Sequence, residues 1–259
     1  MMSDPNDTPT VEPAETPFAD RDLVVKVDDV VAGYVPEVNI LNGASLDVHD
    51  GELIGIIGPN GAGKSTMLKA IFGLLNVSSG HVYLRGEDIT GLKAHALVSR
   101  GIGYVPQVQN VFTSMTVEEN LEMGVYLKPR TFRDRLAFVV EIFPRLGERL
   151  GQRAGMMSGG ERQMLAMARA LMMDPTVILL DEPSAGLSPV LQDQVFQRVT
   201  DVNNAGVSVI MVEQNAHQCL RICHRGYVLD QGRNAYTGTG EKLLSDPKVI
   251  ELYLGTLTT

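Results

Sequence analysis

Residues 58–66 bring three glycines, a lysine and two hydroxyl side chains together in one short segment, Gly-Pro-Asn-Gly-Ala-Gly-Lys-Ser-Thr. The apolar residues 53–57 before it predict a buried strand, and the residues after it predict a helix from Lys64 to about Leu75. The glycines let successive backbone N–H groups point inward, and the helix directs its positive end to the same place. This segment, called here the phosphate loop, therefore predicts an α/β fold that binds phosphate groups.

Each residue of the phosphate loop is predicted to contact a bound nucleotide: Gly58, Pro59, Asn60, Gly61, Ala62, Gly63, Lys64, Ser65 and Thr66. The Lys64 ammonium is expected to reach the β- and γ-phosphates, and the Ser65 hydroxyl is expected to ligate Mg²⁺. The alternative is an ordinary glycine-rich turn between a strand and a helix. That alternative leaves Lys64 and Ser65 without a reason for their positions.

Asp181 and Glu182 directly follow four apolar residues, 177–180. This pattern predicts a buried strand whose carboxyl end carries both acids, at the edge where α/β sheets bind ligands. Asp181 is expected to hold Mg²⁺, directly or through water, and Glu182 is expected to act as the general base or to orient the attacking water. Two solvated acids at a strand end are the alternative, which the phosphate loop makes less attractive.

A third segment, Ser158, Gly159, Gly160 and Glu161, opens a helix predicted to run to about Met173. A serine and two glycines at a helix start offer a hydroxyl, free backbone N–H groups and the positive end of the helix dipole to an anion. Taken alone, the same residues also fit a plain serine N-cap followed by flexible glycines. Residues 158–161 are called here the signature segment.

The rest of the chain alternates between sequence patterns typical of strands and patterns typical of helices. Further strands are predicted at residues 23–27, 44–48, 82–84, 102–105 and 207–212, with turns at Asn42-Gly43 and Asp50-Gly51. Residues 108–170 are predicted to form a mainly helical subdomain, because Thr116 and Glu119 have capping-box spacing and residues 132–143 have helical spacing. Strands, then helices, then strands indicate an α/β core with a helical insertion.

The net charge of −9 is unevenly distributed. Residues 1–20 contain five acids and four prolines but no lysine or arginine. Such a segment buries too little apolar surface to offset the entropy of ordering it, so residues 1–21 are predicted to be a disordered tail and residues 22–259 the folded unit. Without the tail the net charge is still about −4, so no overall positive field would attract nucleic acid and we expect no nucleic-acid partner.

Two further features of composition concern location. The longest apolar runs are far shorter than the roughly 20 residues of a membrane-spanning helix. Cys219 and Cys223 are too few for a disulfide framework, which favours a reducing cytoplasm. A metal site formed by these cysteines with His217 and His224 is a weaker alternative, because on a helix the cysteines share one face and the histidines lie elsewhere.

In combination, these segments resemble the ATP-binding cassette (ABC) family over about residues 23–254. The order that carries the resemblance is the phosphate loop, Gln107 in Tyr104-Val-Pro-Gln107, the signature segment, and Asp181-Glu182-Pro183. The resemblance implies a P-loop NTPase fold with a RecA-like core, an antiparallel β subdomain and an α-helical subdomain. It also implies an ATPase whose cofactors are ATP and Mg²⁺.

The resemblance further implies how the site is assembled. Two cassettes pack head to tail, and each ATP lies between the phosphate loop of one chain and the signature segment of the other. Tyr34 would stack on adenine, although a core or edge tyrosine is the alternative. Gln107 would contact Mg²⁺ and the γ-phosphate, and the helical subdomain would dock a transmembrane partner.

Two positions depart from the family pattern. Ser188 stands where an aspartate is common, and Gln214 stands at the position of the switch histidine, which assigns Gln214 a catalytic contact with the γ-phosphate. A glutamine amide can donate a hydrogen bond to phosphate but cannot be cationic. Slower hydrolysis, or a nucleotide-gated scaffold that scarcely hydrolyses ATP, is therefore an alternative to a full ATPase.

The segments Val212-Glu-Gln-Asn-Ala216 and Arg225-Gly-Tyr-Val-Leu229 look like the LivF-type ATPases of branched-chain amino acid importers. That subtype implies a second cassette, two transmembrane permeases, a solute-binding protein reached through them, and a peripheral position on the cytoplasmic face of the plasma membrane. Gln107, where many LivF sequences carry Glu, also fits importers of urea and short-chain amides. A cytosolic cassette ATPase acting on nucleic acid or cofactor assembly is the alternative outside transport.

Overall fold

A computed structural model describes residues 18–35, 37–108 and 110–254, with the side chain of residue 254 left aside. The strands are β1 Leu23–Ala32, β2 Leu41–His49, β3 Leu53–Ile57, β4 Val77–Leu84, β5 Glu87–Asp88, β6 Ile102–Val105, β7 Val177–Asp181, β8 Ser208–Val212, β9 Arg225–Asp230 and β10 Arg233–Thr239. The α-helices are α1 Lys64–Ile71, α2 Ala94–Ser99, α3 Val117–Gly124, α4 Phe132–Ile142, α5 Pro144–Gly147, α6 Gly159–Leu171, α7 Pro189–Asn204, α8 Ala216–Ile222, α9 Gly240–Ser245 and α10 Pro247–Val249. Short 3₁₀ turns at Pro129–Thr131 and Ala154–Met156 and a π-helical segment at Ile250–Leu254 complete the described elements.

A six-stranded sheet in the order β10-β9-β3-β8-β7-β6 forms the centre of the fold. Its strands pair in parallel except for the antiparallel pair β9 and β10. Every residue of β3, β7 and β8 is buried, because apolar side chains of successive residues enter separate cores on the two faces of the sheet. Strand β8 lies between β3 and β7, so the loops that follow these three strands meet at one edge.

The second sheet, in the order β2-β1-β4-β5, is antiparallel throughout. The turn predicted at Asn42-Gly43 is wrong, because both residues lie inside β2. Gly43 has a φ of +93°, and it lies opposite Asp29 where the pairing of β1 shifts register. The glycine therefore marks a bulge within a strand rather than the end of one. The turn at Asp50-Gly51 is present.

Between β6 and β7, all of the described regular elements are helical: α3, α4, α5, α6 and the two 3₁₀ turns. Thr116 and Glu119 form the expected capping box at the start of α3, with Thr116 Oγ1 accepting from the Glu119 amide at 3.1 Å. Residues 132–142 form α4, close to the predicted span. The subdomain boundaries at 108 and 170 remain predictions.

Two helices end earlier than predicted. Helix α1 ends at Ile71 rather than near Leu75, because Gly73 turns the chain with a φ of +66° and packs against the Leu92 carbonyl, where no side chain fits. Helix α6 ends at Leu171, two residues before the predicted end. Asp174, with a φ of +57°, then directs the chain into Pro175.

The tail predicted to be disordered at residues 1–21 lies outside the described residues as far as residue 17. Residues 18–21, which the prediction placed in the tail, belong to the described part of the chain, and the Phe18 side chain is buried against His224, with ring centroids 4.6 Å apart. Arg21 lies over the Phe18 ring and donates to the Asp50 carbonyl at 3.1 Å. Within the described ranges, no helix has both the length and the apolar character needed to cross a bilayer.

Candidate nucleotide-binding site

The phosphate loop leaves the carboxyl end of β3 and enters α1, as its sequence predicts. Gly58, Gly61 and Gly63 have φ values of +145°, +83° and +101°. A Cβ atom at Gly58 would collide with the Leu229 carbonyl, and one at Gly63 would lie 2.8 Å from Leu41 Cδ2. The loop therefore requires glycine both for its curvature and for its close contact with neighbouring strands.

Lys64 folds back across the phosphate loop. Its Nζ donates hydrogen bonds to the carbonyl oxygens of Gly58 at 2.9 Å and Pro59 at 3.0 Å. Burial lowers the pKa of Lys64, and the nearby carboxylates of Glu182 and Asp181 oppose that shift. The two hydrogen bonds hold the Lys64 Nζ atom inside the loop, where phosphate oxygens would lie.

Asp181 ends β7 and contacts the first turn of α1. Ser65 Oγ donates to Asp181 Oδ1 at 2.7 Å, and the Tyr104 hydroxyl donates to Asp181 Oδ2 at 3.3 Å. Burial raises the pKa of Tyr104, and the Asp181 charge adds to the shift, so the phenol stays protonated. A carboxylate and a hydroxyl oxygen in contact form the hard donor set that Mg²⁺ prefers.

Glu182 follows in a strained conformation with a φ of +48°, in the left-handed region that non-glycine residues seldom adopt. Its amide donates to the Val212 carbonyl at 2.9 Å, which attaches it to β8. Gln107 Nε2 and Gln214 Nε2 both donate to Glu182 Oε2, at 2.7 and 2.9 Å. The structure therefore brings together three predicted site residues that are far apart in sequence.

Tyr34 lies in the loop after β1, with 54% of its surface exposed. Lys69 of α1 donates to its hydroxyl at 3.1 Å and lies 5.2 Å from its ring centroid. The tyrosine is therefore an exposed ring tied to the helix that follows the phosphate loop, which excludes a core tyrosine but not an edge tyrosine; the adenine contact stays a prediction.

The signature segment lies at the N-terminus of α6, where Ser158 Oγ accepts from the Glu161 amide at 3.3 Å and Glu161 Oε2 accepts from the Ser158 amide at 2.8 Å. Arg149 pairs with Glu161 at 2.6 Å. Within the described residues, the hydrogen bonds of Ser158 and Glu161 do not extend to the phosphate loop of the same chain. Ser158 and Gly159 are exposed, whereas Glu161 serves as a cap.

The glycines of the signature segment also have a packing role that their sequence did not reveal. A Cβ atom at Gly159 would lie 3.3 Å from Leu187 Cδ2, and one at Gly160 would lie 3.1 Å from Leu191 Cδ2. Ser188, at the N-cap of α7, is exposed and makes no side-chain cap. The loop after Glu182 therefore packs against the start of α6 within one chain.

Three residues near the site were not assigned from the sequence: Tyr104, Ser184 and Glu213. Glu213 directly follows a buried strand, as Asp181 and Glu182 do, and this pattern was the available signal. Cys219 and Cys223 are buried with their sulfurs 3.8 Å apart. Within the described ranges, no group of three or more His, Cys, Asp or Glu residues could hold a metal ion.

Residues 41–185 match the family model for ABC transporters, and the chain belongs to this family. The predicted ABC cassette fold and ATPase activity are confirmed, and the nucleotide is ATP. The chain is 44% identical over 228 residues to the high-affinity branched-chain amino acid transport ATP-binding protein BraG of Pseudomonas aeruginosa. The aligned residues cover 88% of this chain and 98% of BraG.

A probable branched-chain amino acid transport ATP-binding protein, LivF of Archaeoglobus fulgidus, is 42% identical and covers 86% of this chain and 95% of its own length. The lipopolysaccharide export ATP-binding protein LptB of Haemophilus influenzae is 37% identical, covering 83% of this chain and 91% of its own length. A solved nucleotide-free cassette of an ABC transporter superposes with a TM-score of 0.79 at 30% identity, over 90% of this chain and 99% of that one.

Proposed function

We propose that ATP binds with its phosphates in the phosphate loop and its adenine on Tyr34, and that Ser65, Asp181 and Gln107 hold Mg²⁺. The convergence of Ser65, Asp181 and Glu182 beside the phosphate loop carries this proposal. The backbone amides that would bind phosphate, the metal ligands and the base then lie at one edge of the sheet. When bound, Mg²⁺ would offset the charge of the phosphate oxygens.

Hydrolysis then uses the chain's own groups. The Glu182 carboxylate accepts a proton from a water whose oxygen forms a bond to the γ-phosphorus, and the bond between that phosphorus and the β,γ-bridging oxygen breaks. Lys64 stabilises the negative charge that develops on ADP. Gln107 and Gln214 orient the Glu182 carboxylate through its Oε2 atom.

The second half of each nucleotide site is proposed to come from a partner cassette. Ser158 and Gly159 are exposed at a helix N-terminus, a suitable surface for a phosphate of ATP bound to another chain. Support comes from a structural relative, a dimeric cassette bound to ADP and Pi, which superposes with a TM-score of 0.71 at 27% identity over 82% of this chain and 97% of its own.

The transported solute is proposed to be a branched-chain amino acid, in view of the names of the relatives BraG and LivF. The cassette would work at the cytoplasmic face of the plasma membrane with two permeases, which take the solute from a binding protein. The uptake of labelled leucine, valine and urea tests this in cells that lack the chain. We expect leucine and valine uptake to fall and urea uptake to stay; loss of urea uptake alone would contradict the assignment.

Glu182→Gln tests the base, with the exposed Glu241→Gln as a control. We expect phosphate release by the full chain to fall at least about 100-fold in the first variant and to stay within twofold in the second. ATP affinity should be retained in both. Normal turnover by Glu182→Gln would exclude Glu182 as the base.

Electron paramagnetic resonance of Mn²⁺ tests the metal ligands without reference to turnover. We expect Ser65→Ala and Asp181→Asn to weaken Mn²⁺ binding in the presence of ADP at least about tenfold. Asp134→Asn, an exposed acid in α4, should leave it unchanged. Unchanged binding in Asp181→Asn would contradict the assignment.

A further inference from the structure

Glu213 is a buried carboxylate at the nucleotide edge of the sheet, and only 1% of its surface is exposed. It directly follows β8 and precedes Gln214. Its Oε1 atom accepts a hydrogen bond from the Ser184 amide and its Oε2 atom accepts one from Ser184 Oγ, both at 2.9 Å. The Asn215 amide also bonds to the carboxylate. One acid therefore uses both oxygens to fix a loop 29 residues away.

Ser184 belongs to the loop that carries Glu182. The Glu182 amide donates to the Val212 carbonyl at 2.9 Å, and Glu213 binds Ser184, so two successive residues of the β8 end hold this loop at two points. The left-handed φ of Glu182 is strained and persists only where the surroundings impose it. The Glu213 contact with Ser184 supplies such a constraint.

Two further side chains close the connection between the loops. The Ser184 carbonyl accepts from Gln192 Nε2 at 3.4 Å, and Gln192 Oε1 accepts from Asn215 Nδ2 at 3.4 Å. Asn215 is itself the N-cap of α8, accepting from the Gln218 amide. The loops that carry Glu182 and Gln214 are thus joined through the first turn of α7 as well as through Glu213.

We infer that Glu213 is a positioning residue for ATP hydrolysis: its carboxylate fixes the loop at residues 182–184 in the orientation in which Gln214 donates to Glu182. This inference rests on the role proposed for Glu182 as the base. In this proposal Glu213 acts through Ser184 and does not itself contact the attacking water or the γ-phosphate. Loss of its charge is therefore expected to lower the turnover number while ATP affinity is retained.

The environment of Glu213 makes its protonation relevant near neutral pH. Burial raises the pKa of Glu213 to about 7, hydrogen bonds from Ser184 oppose the shift, and the Glu182 charge adds to it. The ionisable groups that face it are Glu182 at the end of β7 and the Cys219 thiol of α8. Protonation turns one carboxylate oxygen into a hydroxyl that donates and accepts only weakly, so one of the two hydrogen bonds from Ser184 is weakened while the carbonyl oxygen still accepts.

Steady-state hydrolysis by the full chain tests the inference, with Glu213→Gln, Ser184→Ala and the double variant. We expect kcat to fall about 10- to 100-fold in Glu213→Gln, the range expected when hydrogen bonds to a charged group are lost. The KM for ATP should stay within about threefold. The double variant should be no slower than Glu213→Gln, because both changes remove one interaction. Additive losses would contradict the coupling.

Ser208→Ala is the matched control for Ser184→Ala. Ser208 is also a fully buried serine with two hydrogen bonds, to the Gly51 amide and the His49 carbonyl, but it lies at the opposite end of β8. Its replacement should leave kcat unchanged. Hydrogen exchange should speed up at residues 182–188 in Ser184→Ala and stay unchanged there in Ser208→Ala.

A pH profile separates positioning from a general loss of structure. The wild-type kcat should rise between about pH 6 and 8, and Glu213→Gln should lack the step that Glu213 contributes. If Glu213→Gln does not fold, the kcat of Ser184→Ala and its hydrogen exchange at residues 182–188 test the inference instead. Normal kcat in the Glu213 and Ser184 variants, with inactive Glu182→Gln, overturns this inference alone; normal turnover in Glu182→Gln overturns the base assignment instead.

Discussion

Gln214 Nε2 donates a hydrogen bond to Glu182 Oε2 at 2.9 Å, so an amide rather than an imidazole contacts the proposed base. An amide does not titrate between pH 5 and 9, and residue 214 should therefore add no step to the pH profile of the wild type. We expect Gln214→Ala to lower kcat about 10- to 100-fold through loss of a hydrogen bond to a charged group.

Gln214→His should restore a donor but make it pH-dependent, with an added step near the ordinary histidine pKa of about 6.5. Phosphate release measured from pH 5.5 to 9 for the three proteins checks both expectations. Identical pH profiles for the wild type and the histidine variant would show that residue 214 does not act on the hydrolysis step.

The exposed ring of Tyr34 predicts a contribution to nucleotide affinity through stacking. Removal of an aromatic ring from a base costs about 1–3 kcal/mol, so Tyr34→Ala should weaken ATP binding roughly 5- to 160-fold. Tyr34→Phe keeps the ring and loses only the hydrogen bond from Lys69, so it should bind ATP almost as the wild type does. Isothermal titration calorimetry compares the three; equal weakening in both variants would assign the effect to the hydroxyl.

The buried ion pair between Glu52 and Arg225 predicts a large effect on stability at a distance from the nucleotide. Arg225 Nε lies 2.6 Å from Glu52 Oε1, and both side chains are almost fully buried. Glu52→Gln leaves a buried guanidinium without its opposite charge, which should cost about 3–5 kcal/mol. Asp50→Asn, which removes the exposed pair with Arg85, should cost less than about 1 kcal/mol. Urea denaturation measures both, and equal costs would contradict the argument from burial.

The raised pKa of Glu213 predicts a pH dependence of stability with a definite sign. Because the folded pKa of about 7 exceeds the ordinary value of 4.5, the folded chain binds more protons between these pH values, and its free energy of unfolding falls as pH rises through them. That difference corresponds to roughly 3 kcal/mol. The free energy of unfolding of the wild type minus that of Glu213→Gln should therefore fall by about this amount between pH 4.5 and 8. A constant difference would contradict the shift.

Local sequence patterns were sufficient to predict most of the local structure at the sheet edge that carries the phosphate loop and Asp181. The glycines of the phosphate loop, the capping box of Thr116 and Glu119, and the apolar run before Asp181 each report on their own neighbours in sequence. Such signals depend on steric and hydrogen-bonding rules that act over a few residues. The local structure of the loop and of the strand end was therefore predictable from the sequence, while the roles of their residues stay predictions.

Contacts across the sheet were not predictable in the same way. The pairing of Glu213 with Ser184 exists because β8 lies beside β7, and nothing in either segment specifies that neighbour. The bulge at Gly43 depends on Asp29 across the strand pair, and the burial of Phe18 depends on His224. Each of these features requires a tertiary arrangement, which overrides local propensity.

The central place of β8 has a consequence for biosynthesis. Residues 53–57 and 177–181 leave the ribosome before residues 208–212, yet the strand that separates them in the finished sheet is the last of the three to be made. A nascent chain that holds the phosphate loop and both acids of residues 181 and 182 still lacks the strand that spaces them. Nucleotide binding should thus begin only after residue 212 has been translated, which delays ATP capture until β8 can take its place between β3 and β7.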